Sequence, residues 1–287
     1  MDDFFAKAGT GFAGALLAAL LSAGMHNAAA AEWSDTSIGW RYGNKFREPV
    51  NSDDINKNII DLQHASGYKY GTNFFNVDLL MSDSKDPAAG GSGAQEAYVV
   101  YRNTVNLSKI TGGEYKYGGI VRDFGATAGF DWNTKNDIGY SSKKRMLVVG
   151  PTVMMDVPGF LNISVLALFE SNAPVGIQNR YSYDTHPALD LVWGIAFGDS
   201  PFNFQGYVDI IGAKGKDEFG GDTRTEIHFD GAIMLDVGRV IGGPKNTFKV
   251  GLEYEYWKNK FGNDNGNPFF QGGASAKTPM IRAEYHF

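Results

Sequence analysis

Apolar and polar residues alternate along much of this chain, and the segment TEIHFDGAIMLDV shows the alternation most clearly. Successive side chains of a β-strand point to opposite faces, so alternation of this kind predicts a strand with two different walls. A helical period fits none of the alternating segments better. One wall of this segment is largely apolar and the other acidic, with Ile227, Phe229, Ile233 and Leu235 on the first and Glu226, His228, Asp230 and Asp236 on the second.

Twelve such segments are predicted, and the connections between them alternate between short turns and long polar loops. Short turns at one end and long loops at the other are typical of barrels of the Gram-negative outer membrane. We therefore predict an all-β fold, a twelve-stranded antiparallel transmembrane β-barrel, with both chain ends on the short-turn side. The predicted strands cover residues 33–42, 58–66, 68–81, 95–106, 120–133, 144–156, 160–170, 188–198, 202–213, 224–237, 247–258 and 278–287.

The two walls indicate which side of the barrel faces lipid. Asp and Glu are almost never fully buried without partners, so the acidic wall carries too much charge to fill a dry core. The apolar wall is therefore expected to face lipid, and the acidic wall to line a polar lumen. A soluble twelve-stranded sandwich or a lipocalin-like barrel is the alternative, and it would reverse the two walls.

The N-terminal segment has the features of an export signal. The run GFAGALLAALLSAGM is apolar but too short to span a bilayer comfortably. Ala29 and Ala31 form an A-x-A cleavage motif. We expect residues 1–31 to be a signal peptide, with a mature start near Glu32, and residues 32–287 to form an outer-membrane β-barrel. A buried N-terminal helix of a soluble protein is the alternative.

Composition narrows the choice of partners. The 287 residues include 37 Gly and no Cys, and the formal net charge is -6. A negative chain argues against a nucleic-acid partner, which would need a basic stripe. The lack of Cys excludes disulfides and Cys-based metal sites. We expect no cofactor, no metal and no nucleic acid, and we expect outer-membrane lipids and a small-molecule solute as partners.

Three segments resemble the Tsx-like family of nucleoside-specific outer-membrane channels, in the branch usually described as outer envelope proteins. They are WSDTSIGWRYG, YGTNFFNVDLLMSDSKDPA and AQEAYVVYRNTVNLSKITG. The resemblance extends from about Trp33 to the C-terminus and is strongest over the third and fourth predicted strands. It implies a monomeric twelve-stranded barrel with a narrow pore that admits nucleosides. The loop sequences and most pore positions differ from those of the nucleoside channels.

The polar wall supplies the candidate pore-lining residues. An aromatic ring can stack on a nucleoside base, which contributes about 1–3 kcal/mol per base, and carboxylates can accept hydrogen bonds from ribose hydroxyls. Inward acids and bases can instead pair with one another and stiffen the wall, so both interpretations stay open. The predicted pore-lining residues are Phe74, Asp78, Glu96, Tyr98, Arg102, Asp131, Tyr207, Glu226, Asp230 and Glu253.

A single binding rung is predicted within this set, formed by Phe74, Tyr98, Asp78, Glu96 and Arg102 on the third and fourth strands. The predicted inward acids outnumber the predicted inward bases, so we expect an acidic lumen that favours cations. The inward bases in this prediction are Arg41, Arg102, Lys249 and Arg282.

The last segment, TPMIRAEYHF, alternates like the other strands. Ile281, Ala283, Tyr285 and Phe287 share one face, an arrangement that resembles the C-terminal assembly signal of Gram-negative outer-membrane barrels. An aromatic ring at this position is also suited to the water–lipid interface. The outer-membrane barrel assembly machinery is therefore an expected partner.

We predict an outer-membrane channel for passive diffusion of small hydrophilic solutes, with nucleosides as the candidates, and not an enzyme. A structural barrel without transport is one alternative, and an outer-membrane phospholipase is another. A phospholipase would need a Ser, His and Asn cluster on the lipid-facing wall. His64 and Ser66 share a face without such a cluster, so no catalytic residue is assigned. The loop GNDNGNP around Asp264 lacks the spacing of a calcium loop, so a turn is expected there.

Overall fold

The computed structural model describes residues 31–88 and 91–287, most of which lie in β-strands. The predicted signal peptide, except for Ala31, falls outside the described residues and stays a prediction. The strands are β1 Ala31–Phe46, β2 Ile55–Tyr68, β3 Gly71–Ser82, β4 Gln95–Asn106, β5 Val121–Lys135, β6 Arg145–Met155, β7 Gly159–Asn172, β8 Tyr181–Ser182, β9 His186–Ala196, β10 Phe202–Ile211, β11 Glu226–Asp236, β12 Phe248–Lys258 and β13 Ser275–His286.

All of these strands except β8 form one closed antiparallel sheet, in which each strand pairs with the next along the chain. The first and last strands also pair, for example at Trp40 and Ala283, and this contact closes the barrel. The two-residue β8 pairs with the end of β7 inside a loop. The predicted all-β, twelve-stranded antiparallel barrel is therefore confirmed.

The connections divide the barrel into two different ends. Five connections, between β2 and β3, β4 and β5, β6 and β7, β9 and β10, and β11 and β12, lie at one end, which we call the short-turn end. The opposite, long-loop end carries the connections 47–54, 83–94, 136–144, 173–185, 212–225 and 259–274. The predicted alternation holds for the β2–β3, β6–β7 and β9–β10 connections. The β4–β5 and β11–β12 connections, residues 107–120 and 237–247, are longer than the connections 47–54 and 136–144, because each contains a helical turn.

The turn between β2 and β3 lies further along the chain than the sequence predicts. The predicted strands end at Ser66 and resume at residue 68, yet Gly67 and Tyr68 continue β2 and pair with β3, so that the turn contains Lys69 and Tyr70. Gly67 does not form the turn but lies beneath an aromatic ring. A Cβ atom added there would lie 2.1 Å from the indole nitrogen of Trp33. The glycine therefore makes room for Trp33 on the neighbouring strand.

Two of the connections at the short-turn end contain a single helical turn, α1 Leu107–Thr111 and α2 Val237–Ile241. Both are followed by two glycines, in NLSKITGG and DVGRVIGG. Gly112 and Gly242 end these helices with φ values of 74° and 75°, in the left-handed region that glycine adopts at least cost. No helix within residues 31–88 and 91–287 is long and apolar enough to cross a membrane.

The outer surface of the barrel is apolar and the inner surface is charged. Ile233 and Leu252, which are register partners on β11 and β12, point outward and are 53% and 70% exposed. Asp230 and Glu253, on the other face of the same two strands, are buried inside the barrel. Alternation therefore predicted the two walls correctly here. An outer surface of this kind is matched to lipid, because a large exposed apolar surface is unfavourable in water.

Glycine also shapes the outer wall. Trp193 on β9 points outward but is buried against Phe204 and Phe229, whose ring centroids lie 5.1 Å and 6.0 Å from that of Trp193. A Cβ atom added at Gly206 would lie 3.0 Å from the indole ring. The absence of a side chain at Gly206 therefore leaves space for the ring to lie against the strand.

Replacing Ile233 by Arg should destabilise the folded barrel by about 2–4 kcal/mol, which is the cost of an Arg on the lipid face near the bilayer midplane. Urea titration of the protein refolded in lipid vesicles would measure the change. The matched control is Gln205→Arg, since Gln205 faces the lumen and donates to Glu284. We expect the control to unfold close to the wild-type urea concentration. The opposite ranking of the two variants would mean that the walls are exchanged.

Candidate functional site

Arg41 points from β1 into the lumen and joins carboxylates of three other strands. Its Nη2 lies 2.6 Å from Asp78 Oδ1, and its Nη1 lies 3.4 Å from Glu253 Oε1. Its Nε lies 3.6 Å from Asp61 Oδ1, which is an ion pair but too long for a hydrogen bond. Two predicted pore residues, Asp78 and Glu253, are therefore connected through an arginine that bridges them.

Arg282 on β13 continues this network. Its Nη1 lies 3.1 Å from Glu253 Oε2, and its Nε lies 2.6 Å from Glu284 Oε1. Gln205 Nε2 also donates to Glu284 Oε1, at 2.7 Å. Arg41 and Arg282 are register partners across the seam between β1 and β13, so Glu253 bridges two adjacent guanidinium groups.

A second cluster lies on β4 and β5. Arg102 Nη1 lies 2.5 Å from Asp131 Oδ1, and the Tyr98 hydroxyl donates to Asp131 Oδ2 at 3.0 Å. Lys144 Nζ in turn donates to the Tyr98 hydroxyl at 3.2 Å. Three predicted pore residues, Tyr98, Arg102 and Asp131, are thus brought together, and Asp131 is their common partner.

Two further predicted pore residues lie apart from these clusters. Glu226 accepts a hydrogen bond from Trp257 Nε1 at 2.6 Å, and the Tyr207 hydroxyl lies 3.3 Å from His228 Nε2. Asp230, by contrast, belongs to the first cluster, because its side chain is buried on the inner face of β11 and is hydrogen-bonded to Glu253.

The predicted binding rung does not form one open array. Asp78 is held by Arg41, Glu96 accepts a hydrogen bond from Asn133, and Tyr98 and Arg102 are held by Asp131. Phe74 is the register partner of Arg102 on the adjacent strand and is 36% exposed. Within the rung, Phe74 is therefore the ring most available for stacking, and the role of the whole rung in solute binding stays a prediction.

Two aspartate pairs occupy comparable places on two different hairpins. Asp61 and Asp78 are register partners on β2 and β3, and Asp190 and Asp209 are register partners on β9 and β10. Arg41 forms ion pairs with both members of the first pair. Within residues 31–88 and 91–287 no ion pair includes Asp190 or Asp209, and both are only half-buried. The two carboxyl groups of the second pair are hydrogen-bonded to each other, so they share a proton and present a single negative charge to the lumen.

The lumen wall also carries an uncharged row of hydroxyl groups. The hydroxyls of Thr104, Thr127, Thr152 and Ser164 follow one another across β4 to β7, at successive oxygen–oxygen distances of 2.8, 2.6 and 2.9 Å. All four side chains are buried. At this level of the barrel β4 to β7 are therefore joined on the inside by hydroxyl hydrogen bonds, whereas the strands around the seam are joined by ion pairs.

Lysines at the long-loop end were missed by the sequence analysis. Lys57, Lys135 and Lys260 surround Glu48 of the β1–β2 loop, with Nζ to Oε1 distances of 2.6, 3.5 and 3.4 Å. Lys214 similarly binds Glu170, at 2.7 Å. Lys57 and Lys135 have the same parity as the inward acids of their strands. They lie just beyond the predicted strand ends, so extending the alternation by two residues would have found them.

These lysines change the expected charge of the lumen. Together with Lys144 they add five inward bases to the four predicted from alternation. All five lie towards the long-loop end, whereas inward acids occur along the whole barrel. The lumen is therefore acidic mainly away from the long-loop end, and less uniformly acidic than the sequence analysis predicts.

Glu48 is ionised despite its burial. Burial by itself would raise the pKa of this carboxyl, but the charges of Lys135, Lys260 and Lys57 outweigh that effect and hold the pKa of Glu48 well below its usual value. Lys260 Nζ also donates to the carbonyl of Arg47 at 2.8 Å. The β1–β2 loop is therefore fastened to the inside of the barrel by charge.

The contacts of His64 and of the loop around Asp264 are those of structural residues. His64 Nδ1 lies 2.8 Å from Thr36 Oγ1, so the imidazole is engaged by a threonine rather than by Ser66. Asp264 accepts a hydrogen bond from the backbone N–H of Gly266, and this bond and the adjacent Arg224 lower the pKa of Asp264. The loop is a turn closed by an ion pair, as predicted.

Comparisons with known proteins give only distant likenesses. No protein-family model matches the chain, and no curated protein matches its sequence. Among solved structures, the KdgM porin is 10% identical, with 88% of this chain and 99% of that chain covered and a TM-score of 0.43. The translocator domain of the autotransporter NalP from Neisseria meningitidis is 12% identical, with 98% and 97% covered and a TM-score of 0.41. Pseudomonas putida OprB, in its high-pH structure, is 11% identical, with 90% and 94% covered and a TM-score of 0.32. No property of this chain follows from likenesses at that level.

Replacing Glu253 by Ala should destabilise the barrel by roughly 3–5 kcal/mol, because two buried guanidinium groups would lose the carboxylate they share. Urea unfolding of the refolded protein, followed by Trp fluorescence, would measure the loss. Lys216→Gln is the control, since Lys216 pairs with Asp222 at 2.7 Å on the exposed surface. Exposed pairs contribute about 0–1 kcal/mol. A Glu253 variant as stable as this control would contradict the role given to the network.

Replacing Glu48 by Gln should release the β1–β2 loop at neutral pH. We expect faster trypsin cleavage after Arg47 in the folded protein, detected by mass spectrometry of the fragments. Asp53→Asn is the matched control, because it removes the same charge from the same loop and Asp53 forms no ion pair within the described residues. Equal cleavage of the two variants would speak against the charge fastening.

The same contact predicts a pH dependence. Since the pKa of Glu48 is lowered in the folded state, the stabilisation is complete above the unfolded-state pKa of about 4.3 and is lost as the pH falls through the lower folded-state value. Hydrogen exchange in residues 47–52, corrected for the intrinsic rate, should therefore be constant between about pH 7 and pH 5. A rise in exchange within that range would contradict the assignment.

Proposed function

We propose that this protein is a channel of the Gram-negative outer membrane, for passive diffusion of small hydrophilic solutes. The observation that carries the proposal is the closed barrel with an apolar outer wall and a charged inner wall. A closed barrel leaves no unpaired strand edge in lipid, and an inner wall of this polarity is suited to water and polar solutes. The long-loop end would lie outside the cell and the short-turn end in the periplasm.

A route for the solute is supported by burial differences within the lumen. The side chains of Arg41, Asp61, Glu253 and Arg282 are packed together on the seam side. The side chains of Asp78 and Arg102 remain 20% and 22% exposed, and Tyr207 across the lumen is half-buried. We place the water-accessible path along β3, β4 and β10.

Nucleosides are the solutes that we propose. The resemblance to nucleoside-specific channels is one support, and the exposed ring of Phe74 on this path is another, because aromatic rings stack on bases. The half-buried carboxylates of Asp190 and Asp209 can accept hydrogen bonds from ribose hydroxyls. These acids would also attract cations and repel the phosphate of a nucleotide.

A structural barrel without transport is the second candidate function. The packed network around Arg41 and Arg282 favours it, since ion pairs of this kind fill lumen space. The Glu48 contacts favour it too, because they draw a loop into the long-loop end. Conductance separates the two candidates directly.

Export and assembly complete the proposal. Residues 1–31 would be removed as a signal peptide, and the mature protein would start near Glu32. Ile281, Tyr285 and Phe287 lie exposed on the outer face of the last strand or next to it. We propose that they form, with Ala283, the signal read by the barrel assembly machinery, and that the barrel works as a monomer in contact with outer-membrane lipids.

The wild-type protein should conduct ions with a preference for cations in planar bilayers, and its reversal potential under a salt gradient would show this. Replacing both acids of the β9–β10 pair, Asp190→Asn with Asp209→Asn, should reduce the preference. Asp53→Asn with Asp199→Asn removes at least as much negative charge from exposed positions outside the lumen and should not reduce it. An anion-selective wild type would contradict the proposal.

Liposome swelling tests the solute. Adenosine and thymidine should enter faster than their monophosphates, and the difference should shrink at 1 M salt, where the screening length is about 3 Å. If liposomes swell equally with sugars, amino acids and nucleosides, the protein would be a general channel without preference for nucleosides. If the protein supports neither liposome swelling nor ion conductance, the channel proposal would be wrong and the structural barrel would be the remaining candidate function.

A further inference from the structure

Three basic residues gather on the outer surface of the barrel at the long-loop end. Lys143 lies in the loop just before β6, Arg145 is the first residue of β6, and Arg180 lies in the loop between β7 and β9. Arg180 Nη1 donates to the carbonyls of Lys143 and Ser171, at 2.8 and 3.3 Å, and lies 3.4 Å from Ser171 Oγ. Ser171 is the register partner of Arg145. These contacts hold the Arg180 guanidinium against the outer wall beside Arg145.

No carboxylate balances this group of charges. Within residues 31–88 and 91–287, none of the ion pairs includes Lys143, Arg145 or Arg180. Partial burial lowers the pKa of Arg180, and the neighbouring charge of Arg145 lowers it further. Two other exposed bases at this end, Lys216 and Arg224, each have an aspartate partner, at 2.7 and 3.1 Å. The Arg145–Arg180 patch is therefore positive and open to an anion.

Apolar side chains lie directly below the patch on the outer wall. Leu147 and Phe169 are register partners one step further along β6 and β7, and they are 61% and 49% exposed. Val149 and Val165 continue this exposed apolar column. Trp132 on β5 is the register partner of Arg145 on its other side and is also exposed. The patch thus sits where a polar head group would meet acyl chains.

The chemistry of the patch selects the ligand. Guanidinium groups recognise phosphate oxygens through paired hydrogen bonds and are weakly hydrated, which suits a site at a lipid boundary. A free phosphate ion would form hydrogen bonds with the arginines but would make no contact with the apolar column. A phosphorylated lipid would satisfy both parts at once.

We propose that Arg145 and Arg180 bind a phosphate group of a phosphorylated lipid in the outer leaflet, while Leu147 and Phe169 pack against its acyl chains. The site rests on the proposed function for one point, the placement of the long-loop end at the outer face of the outer membrane. It is separate from the lumen, since the arginines and the column face outward.

Native mass spectrometry of the detergent-solubilised protein tests the proposal, with hexa-acylated bis-phosphorylated lipid A as the probe. Dephosphorylated lipid A and inorganic phosphate are the two comparison ligands. The variant is Arg145→Gln with Arg180→Gln. Arg224→Gln is the matched control, because Arg224 is exposed at the same end but pairs with Asp264. Heat-modifiable electrophoretic mobility would establish that every variant is folded.

We expect the double variant to bind the phosphorylated lipid about tenfold or more weakly than the wild type, since charge-assisted hydrogen bonds would be lost. The control should bind as the wild type does, and removal of the phosphates from the lipid should weaken wild-type binding to the level of the double variant. Undiminished binding by the double variant, or equal loss in the control, would overturn the site. Inorganic phosphate binding as tightly as the lipid would overturn the lipid as its occupant.

Conductance of the double variant, in bilayers that lack this lipid, keeps the two proposals apart. Because the arginines lie outside the lumen, the variant should conduct as the wild type does. A wild-type protein that does not conduct would contradict the channel proposal, and the lipid-binding measurement could still be interpreted. A wild-type protein that does not bind the lipid would contradict the lipid site and would not affect the channel proposal.

Discussion

The barrel depends on the closure of its first strand against its last. A sheet with free edges cannot remain in lipid, because unpaired backbone groups find no water there. At this seam Arg41 and Arg282 are direct register partners, and two like charges opposite each other on a sheet repel. Glu253 from the next strand contacts both guanidinium groups, and Asp78 and Glu284 supply a further carboxylate to each, so the repulsion is offset. Backbone closure and lumen chemistry are thus linked through these carboxylates.

This arrangement gives the lumen two unlike sides. Around the seam, long charged side chains reach across the interior and fill it with ion pairs, as Arg41 does to Asp78. From β4 to β7, short hydroxyls such as Thr127 and Thr152 bond along the wall, beside the ion pair of Arg102 with Asp131. Phe74 on β3 is the register partner of Arg102. The path proposed above for a solute lies on this flank of the barrel.

Alternation along the sequence predicts the strand number, the closed sheet and the two walls, because a strand repeats every two residues whatever its neighbours are. It places Ile233 outside and Asp230 inside correctly. It does not predict that Glu253 serves two arginines, since that depends on which strands are adjacent and at what register. Lys57 and Lys135 were missed because, near the end of a strand, the sequence of a polar loop cannot be told from the sequence of an inward-facing polar wall. Glu48 lies in a loop, and a loop has no regular alternation of side chains from which the orientation of Glu48 could be predicted.

The position of Glu48 has a consequence for what the long-loop end displays. Its carboxylate is held inside by three lysines, so the β1–β2 loop has this charge withdrawn from the surface. In the β10–β11 loop the carboxylate of Glu218 is held by the hydroxyls of two tyrosines, but the side chains of Lys216 and Asp222 are 58% and 75% exposed. With the long-loop end placed outside the cell, as proposed above, a bacteriophage or an antibody could contact these exposed side chains of the β10–β11 loop, whereas Glu48 would be out of its reach.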